Sequence, residues 1–202
     1  ISPTFFANSS TGNKYSLWVN VYGVSERYLN VYGEKDLRAQ MNQFFHRTYT
    51  HPVDGTTLDM KMLCNWYWYD ETAILETGKG TKDWNFYRYA ETLLSAAEAI
   101  AQSSGVNAEA AGYLAQVKAR ANMEGKDVST IASELQRLGK QAFIEECWKE
   151  RLREFPLEMK IWDDCVRTGK FPQISATNKG EVQFVDLIGA KNGSGATFKA
   201  TD

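Results

Sequence analysis

The chain has 202 residues, 43% of them hydrophobic and 13% aromatic, enough for a sizeable core in one domain or slightly more. A formal net charge of −2 excludes the basic footprint of a nucleic-acid binder. No apolar run is long enough to cross a bilayer, and a chain that starts at Ile1 and closes in a Gly/Ser-rich stretch reads as a piece of a longer protein.

Residues 1–14 carry Pro, Asn, Ser, Thr and Gly and read as loop. Leu17, Val19 and Val21 alternate with polar and aromatic neighbours, which predicts a strand. Ser25–Tyr32 and Glu34–Met41 are expected to form short helices. Asn42–Tyr49 has strand composition, and His51-Pro52-Val53-Asp54-Gly55 is a turn in which Gly supplies a left-handed position. Leu58, Met60 and Met62 alternate with Asp59 and Lys61 and predict another strand. Trp66-Tyr67-Trp68-Tyr69 follows, and 77–82 is a loop. Residues 1–82 are therefore expected to be a loop-rich segment with short strands.

The centre of the chain is Trp84–Gln102. At 100° per residue, Tyr89, Ala90, Leu93, Leu94, Ala97, Ile100 and Ala101 fall on one face, with Arg88, Glu91, Ser95, Glu98 and Gln102 opposite. Asn107 caps a second helix whose stripe is Ala110, Tyr113, Leu114, Val117 and Ala121. A link of roughly four residues forces the two antiparallel, as a helical hairpin. Val128, Ile131, Leu135 and Leu138 make a third helix, and Gly139 weakens or ends it. Phe143, Ile144, Cys147, Trp148, Leu152 and Phe155 make a fourth, which Pro156 stops. Leu157–Thr168 is the fifth, with Gly169 as its C-terminal cap. Residues 83–170 thus form a helical region. Residues 171–202 are loop-rich, with one strand at Val182–Leu187.

Cys64, Cys147 and Cys165 are far apart and lack metal spacing, so buried free thiols are expected, a single disulfide being the alternative. His46 and His51 are not joined by ligand-spaced partners, and no metal or cofactor is implied. Arg151 sits in the middle of the fourth helix's apolar face. A lone buried charge there is too costly. Either it pairs with Glu154, Glu158 or Asp164, or its stem lies along the core and its head reaches water.

These residues carry a resemblance. Arg88-Tyr89-Ala90-Glu91-x-Leu93-Leu94 followed by Ala97-Glu98-Ala99 resembles a signature of the SusD/RagB family. Glu150-Arg151-x-x-Glu154-Phe155-x-x-Glu158, then Trp162-x-Asp164-x-x-Arg167, resembles the family's second signature, and Asp36-Leu37-Arg38 an upstream element. Met159 and Lys160 stand where the family often has Gly and Arg. The resemblance covers Asp36 to about Pro172 and marks the chain as the C-terminal portion of a family member, without the N-terminal half and its lipidated Cys. It implies a mostly helical fold with irregular loops, a few short strands and a tetratricopeptide-like helix pair. It also implies a non-enzymatic, lipid-anchored protein of the outer-membrane surface. Such a protein binds starch-type or other oligosaccharides, caps a TonB-dependent transporter and needs the remainder of its own polypeptide.

Read independently, Trp66, Trp68 and Tyr69, with Asn65 and Asp70 beside them, suit carbohydrate: rings for the apolar sugar face, amide and acid for hydroxyls. The competing reading packs the same aromatics on the core. Two other classes compete. A peptide-binding helical-repeat scaffold needs repeated hairpins, and one is visible. A glycoside hydrolase needs two carboxylates across a cleft, with Asp54, Asp59 and Asp70 as candidates.

Overall fold

Helix α1 spans Tyr89–Ser104 in the computed structural model, which describes residues 24–200 apart from Gly78, Thr81 and Trp84. The loop expected at 1–14 and the strand at Leu17–Val21 lie outside the described residues. Among the described residues helices dominate, with two short antiparallel sheets. The chain divides into two units. One holds Arg38–Phe86 with the described residues up to Tyr28; the other holds Leu29–Leu37 and the chain from Tyr87 onward.

In the helical unit, α1 ends at Gly105 (φ +82), and α2 (Ala108–Arg120) starts where the Asn107 side chain accepts a hydrogen bond from Ala110 N at 2.9 Å. Helix α3 (Val128–Leu135) is capped in the same way by Asp127, which accepts from Thr130 N at 2.8 Å. Helix α4 is Lys140–Glu154 and α5 is Ile161–Thr168. The predicted stripes converge. Leu93, Leu94 and Ala97 of α1, Leu114 and Val117 of α2, Ile131 and Leu135 of α3, and Phe143, Ile144 and Cys147 of α4 share one buried core, against which Ile100 packs. Small residues at Ala97, Ala101, Ala110 and Ala111 let the backbones of the first two helices approach closely.

Five expectations need correction here. Helix α1 begins five residues later than predicted, and Arg88 before it is extended. Tyr89 opens the helix and is 72% exposed instead of joining the core face. Glu91 and Glu98, placed on the solvent face by the wheel, are buried at 8% and 4% because cations from other elements reach them. Gly139, expected to end α3, is the residue that opens α4. Finally, α5 starts at Ile161 rather than at Leu157, because Leu157 (φ +60) and Met159 (φ +63) are left-handed. Such a conformation costs a side-chain-bearing residue about 1–2 kcal/mol. Met159→Gly is therefore expected to raise stability by about 0.5 kcal/mol, after the extra chain entropy of glycine is subtracted. Chemical denaturation of the full-length protein checks this, and a lowered midpoint would refute it. Gly169 takes the left-handed cap expected of it.

Strand β3 (Lys170–Ile174) has no sequence signature, and the short helices expected at Ser25–Tyr32 and Glu34–Met41 are 3-10 helices over Glu26–Val31 and Leu37–Ala39. Strand β3 pairs antiparallel with β4 (Val182–Asp186), and Phe184 of β4 meets the Trp148 ring edge-on at 5.2 Å. The segment Leu29–Leu37 crosses the helices. Its Val31 carbonyl accepts from Arg153 Nε at 3.1 Å, the Tyr32 hydroxyl donates to the Arg153 carbonyl at 2.9 Å, and Leu37 N donates to the Ala121 carbonyl at 2.8 Å.

The other unit is a hairpin and the turns that follow it. Strands β1 (Phe45–Thr50) and β2 (Thr57–Asn65) are antiparallel, with an irregularity between His46 and Thr48. Gly55 (φ +74) takes the left-handed turn position, and the Asp54 carboxylate accepts from Thr56 N at 2.8 Å. Tyr49, Met60 and Cys64 form a small core, with Trp66, Tyr69 and Leu75 packed against it. All three cysteines are free and buried.

Candidate functional site

The aromatic run Trp66–Tyr69 is neither loop nor strand. It is a single 3-10 turn, Trp66–Trp68, closed by Tyr69 N donating to the Trp66 carbonyl at 3.0 Å. Asn65 makes the turn possible: it ends β2, and its side-chain oxygen accepts from Tyr67 N at 2.8 Å. The residue is only 1% exposed, and its side chain acts as a cap. Asp70 caps the next turn, Ala73–Thr77, by accepting from Ala73 N at 3.0 Å.

The turn separates the aromatics that an alternating strand would have paired. Trp66 lies in a stack, with the His46 ring at 3.8 Å and 11° and the Tyr69 ring at 4.6 Å and 15°. Its indole face is thus taken up by protein. Desolvation in this stack pushes the His46 pKa down, outweighing the hydrogen bond its ring donates to the Gln43 backbone. The Tyr69 hydroxyl donates to Glu71 at 3.1 Å, and burial followed by neighbouring Tyr49 pushes its pKa up. Trp68 points elsewhere. It is half-buried and meets the Tyr67 ring at 4.8 Å and 88°, forming an aromatic corner. Tyr67 itself is held from two sides. Asn85 donates to its hydroxyl at 3.0 Å, and the Lys82 ammonium sits 5.3 Å above its ring. Tyr67 belongs to the aromatic corner although its alternation on a strand would have placed it against the core.

The second constellation is the set of ions that carries the signature residues. Arg151 is 6% exposed, and its Nε donates to Asp164 at 2.7 Å, with Glu91 at 3.4 Å from Nη2 and the Phe155 ring at 5.3 Å. Glu154 and Glu158, the alternatives, do not pair with it. They gather at the N-terminus of α1 around Arg88, whose guanidinium reaches Glu154 at 2.9 Å and Glu158 at 2.7 and 2.9 Å. Carboxylates suit that site because a helix N-terminus is the positive end of its dipole. Arg120 also bonds Glu154. Glu98 receives Arg167 through two bonds of 2.7 Å and the Trp148 indole at 2.9 Å. Glu146 and Glu150 hold Arg153, at 2.9 and 3.1 Å. The spacing Glu91–Glu98, two turns apart on α1, was the available signal. Seven residues return to one helical face, so both acids look the same way, toward Arg151 and Arg167.

These ions set the pH response. Burial alone would raise the Glu98 pKa, but hydrogen bonds from Arg167 and Trp148 outweigh it and hold the group low. Glu146 is likewise held low, against burial, by Lys118 and Arg153. Glu158 goes the other way: burial dominates Arg88 and raises it. A depressed carboxylate contributes stability that is present above its unfolded value, near 4.5, and is lost as pH falls through its folded value. The raised Glu158 opposes this, since its contribution is present at low pH and lost as pH rises. The two depressed groups outnumber it, so the melting temperature of the full-length protein is expected to fall below about pH 4.5. In Glu98→Gln the acid limb should be shallower; an unchanged limb in thermal melts across pH would refute this.

The Asp54 carboxyl is held low by the Thr56 N–H, Asp70 caps a turn, and Asp59 lies exposed on β2. Among the described residues no group of His, Cys, Asp and Glu could hold a metal ion, and no helix is long and apolar enough to cross a membrane.

A helical hairpin core, ion-paired signature residues and short hairpins define a SusD-type architecture. The SusD family model matches residues 9–195, and the chain belongs to that family. Among solved structures, it is similar to a SusD superfamily protein from Parabacteroides distasonis, with 25% identity and a TM-score of 0.77. The match covers 95% of this chain and 40% of that one, so the chain spans less than half of that relative's length. No curated protein matches.

Proposed function

We propose that this chain is part of a non-enzymatic glycan-binding protein of the outer-membrane surface, anchored by lipid through its N-terminal part and partnered with a TonB-dependent transporter. Family membership supports the class. The observation in the chain itself is the Tyr67–Trp68 corner, a pair of perpendicular rings on a capped turn. An indole buries the CH face of a pyranose well, and a second ring at a right angle closes one side of the contact. Trp68 is the platform in this reading. Trp66 and Tyr69, stacked on one another, support it, and Asp70 borders it. Along residues 70–83 carboxylates outnumber ammonium groups, Asp70, Glu71, Glu76 and Asp83 against Lys79 and Lys82, which favours a neutral oligosaccharide. The corner forms one edge of the site, and residues elsewhere in the polypeptide complete it.

The test is calorimetric titration of the full-length protein with maltoheptaose and a panel of other neutral oligosaccharides. Trp68→Ala should weaken binding by about tenfold, near 1.4 kcal/mol, with little change in melting temperature. Trp66→Ala should lower the melting temperature instead, because its ring is packed between neighbours. If Trp68→Ala lowers stability and leaves affinity intact, its ring is core and the corner is not part of the site.

A further inference from the structure

We infer that Lys82 is a positioning residue that fixes the orientation of Trp68, an inference that rests on the glycan-site reading above. Lys82 lies in the irregular segment that follows the turns, and its ammonium reaches back to them. It donates to the Tyr67 carbonyl and, at 3.4 Å, to the Tyr69 carbonyl. Those two carbonyls bracket Trp68. One ammonium bonded to both restrains the backbone on each side of the platform residue, and its three donors allow this without strain. The same ammonium stands 5.3 Å over the Tyr67 ring, the other wall of the corner. Asn85, three residues further on, holds the Tyr67 hydroxyl at 3.0 Å. The segment thus grips both walls of the corner, Tyr67 at its ring and hydroxyl and Trp68 through its flanking carbonyls.

Three features separate positioning from general stability. Lys82 is exposed. Its partners are neutral carbonyls and a ring face, and it makes no ion pair with a carboxylate among the described residues, so removing it strands no buried charge. Its contacts are confined to the aromatic turn, at the Tyr67 and Tyr69 carbonyls and the Tyr67 ring. The corner is therefore pre-organised, and a ligand does not have to order it on binding.

Lys82→Met keeps most of the aliphatic stem and removes the ammonium; Lys82→Arg keeps a cation. In the full-length protein, titrated with maltoheptaose and the same neutral panel, Lys82→Met should weaken binding about fivefold at unchanged melting temperature, and Lys82→Arg should recover most of the loss. If Trp68→Ala weakens binding as expected but Lys82→Met leaves it intact, the positioning role is overturned and the glycan site stands. Weakening by Lys82→Met that comes with a matching fall in melting temperature also overturns it, since the role is then structural. If no panel member binds the unmodified protein, or Trp68→Ala leaves its affinity unchanged, the site reading fails and this inference fails with it.

Discussion

Glu154→Ala should destabilise the full-length protein by about 3–5 kcal/mol, the range for breaking a buried ion pair by removing one partner. Glu154 is completely buried at the end of α4, and it joins Arg88 before α1 to Arg120 at the end of α2. Its loss takes one of two paired carboxylates from Arg88, which is partly buried, and removes the acceptor that anchors two helix ends to a third. Hydrophobic area changes little, so the effect is electrostatic and geometric. Chemical denaturation with two independent probes measures it. A cost under about 1 kcal/mol would show that Arg88 and Arg120 find water when the carboxylate is gone. Replacing the whole cluster by apolar residues is a different experiment, and it need not cost stability.

Arg151→Met is the second large effect, again about 3–5 kcal/mol. The methionine fills much of the volume of the arginine stem, so the loss reports the charge and its bonds. Two acids are left behind: Asp164 on α5, bonded at 2.7 Å, and Glu91 on α1, at 3.4 Å. Both keep another cation, Arg167 for Asp164 and Lys160 for Glu91, which sets the effect toward the lower end of the range. The Phe155 ring loses the guanidinium that packs 5.3 Å from its centre. A double-mutant cycle with Asp164→Asn isolates the pair. Coupling near zero would refute the assignment of Asp164 as its principal partner.

Local rules carried a good part of this protein. Periodicity places α1 to α4 because apolar residues at helical spacing can be buried only on one face, and Asn107, Asp127 and Gly169 mark ends by their own backbone and side-chain chemistry. Alternation finds β2 and β4 for the same reason. The family resemblance rests on Arg88, Glu91, Glu98, Glu150, Arg151, Glu154, Glu158, Asp164 and Arg167, residues whose order along the chain is visible without coordinates.

Tertiary structure decided what those residues do. A helical wheel assigns Glu91 and Glu98 to solvent because it knows only one helix; Arg151 and Arg167, sixty and sixty-nine positions away, bring both acids inside. Arg151 on its own wheel has Glu154 and Glu158 as equal candidates, yet Arg88 claims both from before α1. In the aromatic turn, alternation would set Trp66 and Trp68 on one face, and a single bond from Tyr67 N to Asn65 winds the backbone and sends them apart. Lys82, fifteen residues from Tyr67, shows nothing in its local sequence of the carbonyls it reaches. Periodicity reports burial within one element, because burial depends on which face an element presents. Ion pairs and ring stacks depend on which side chains from separate elements arrive at the same point, and only the packed chain determines that.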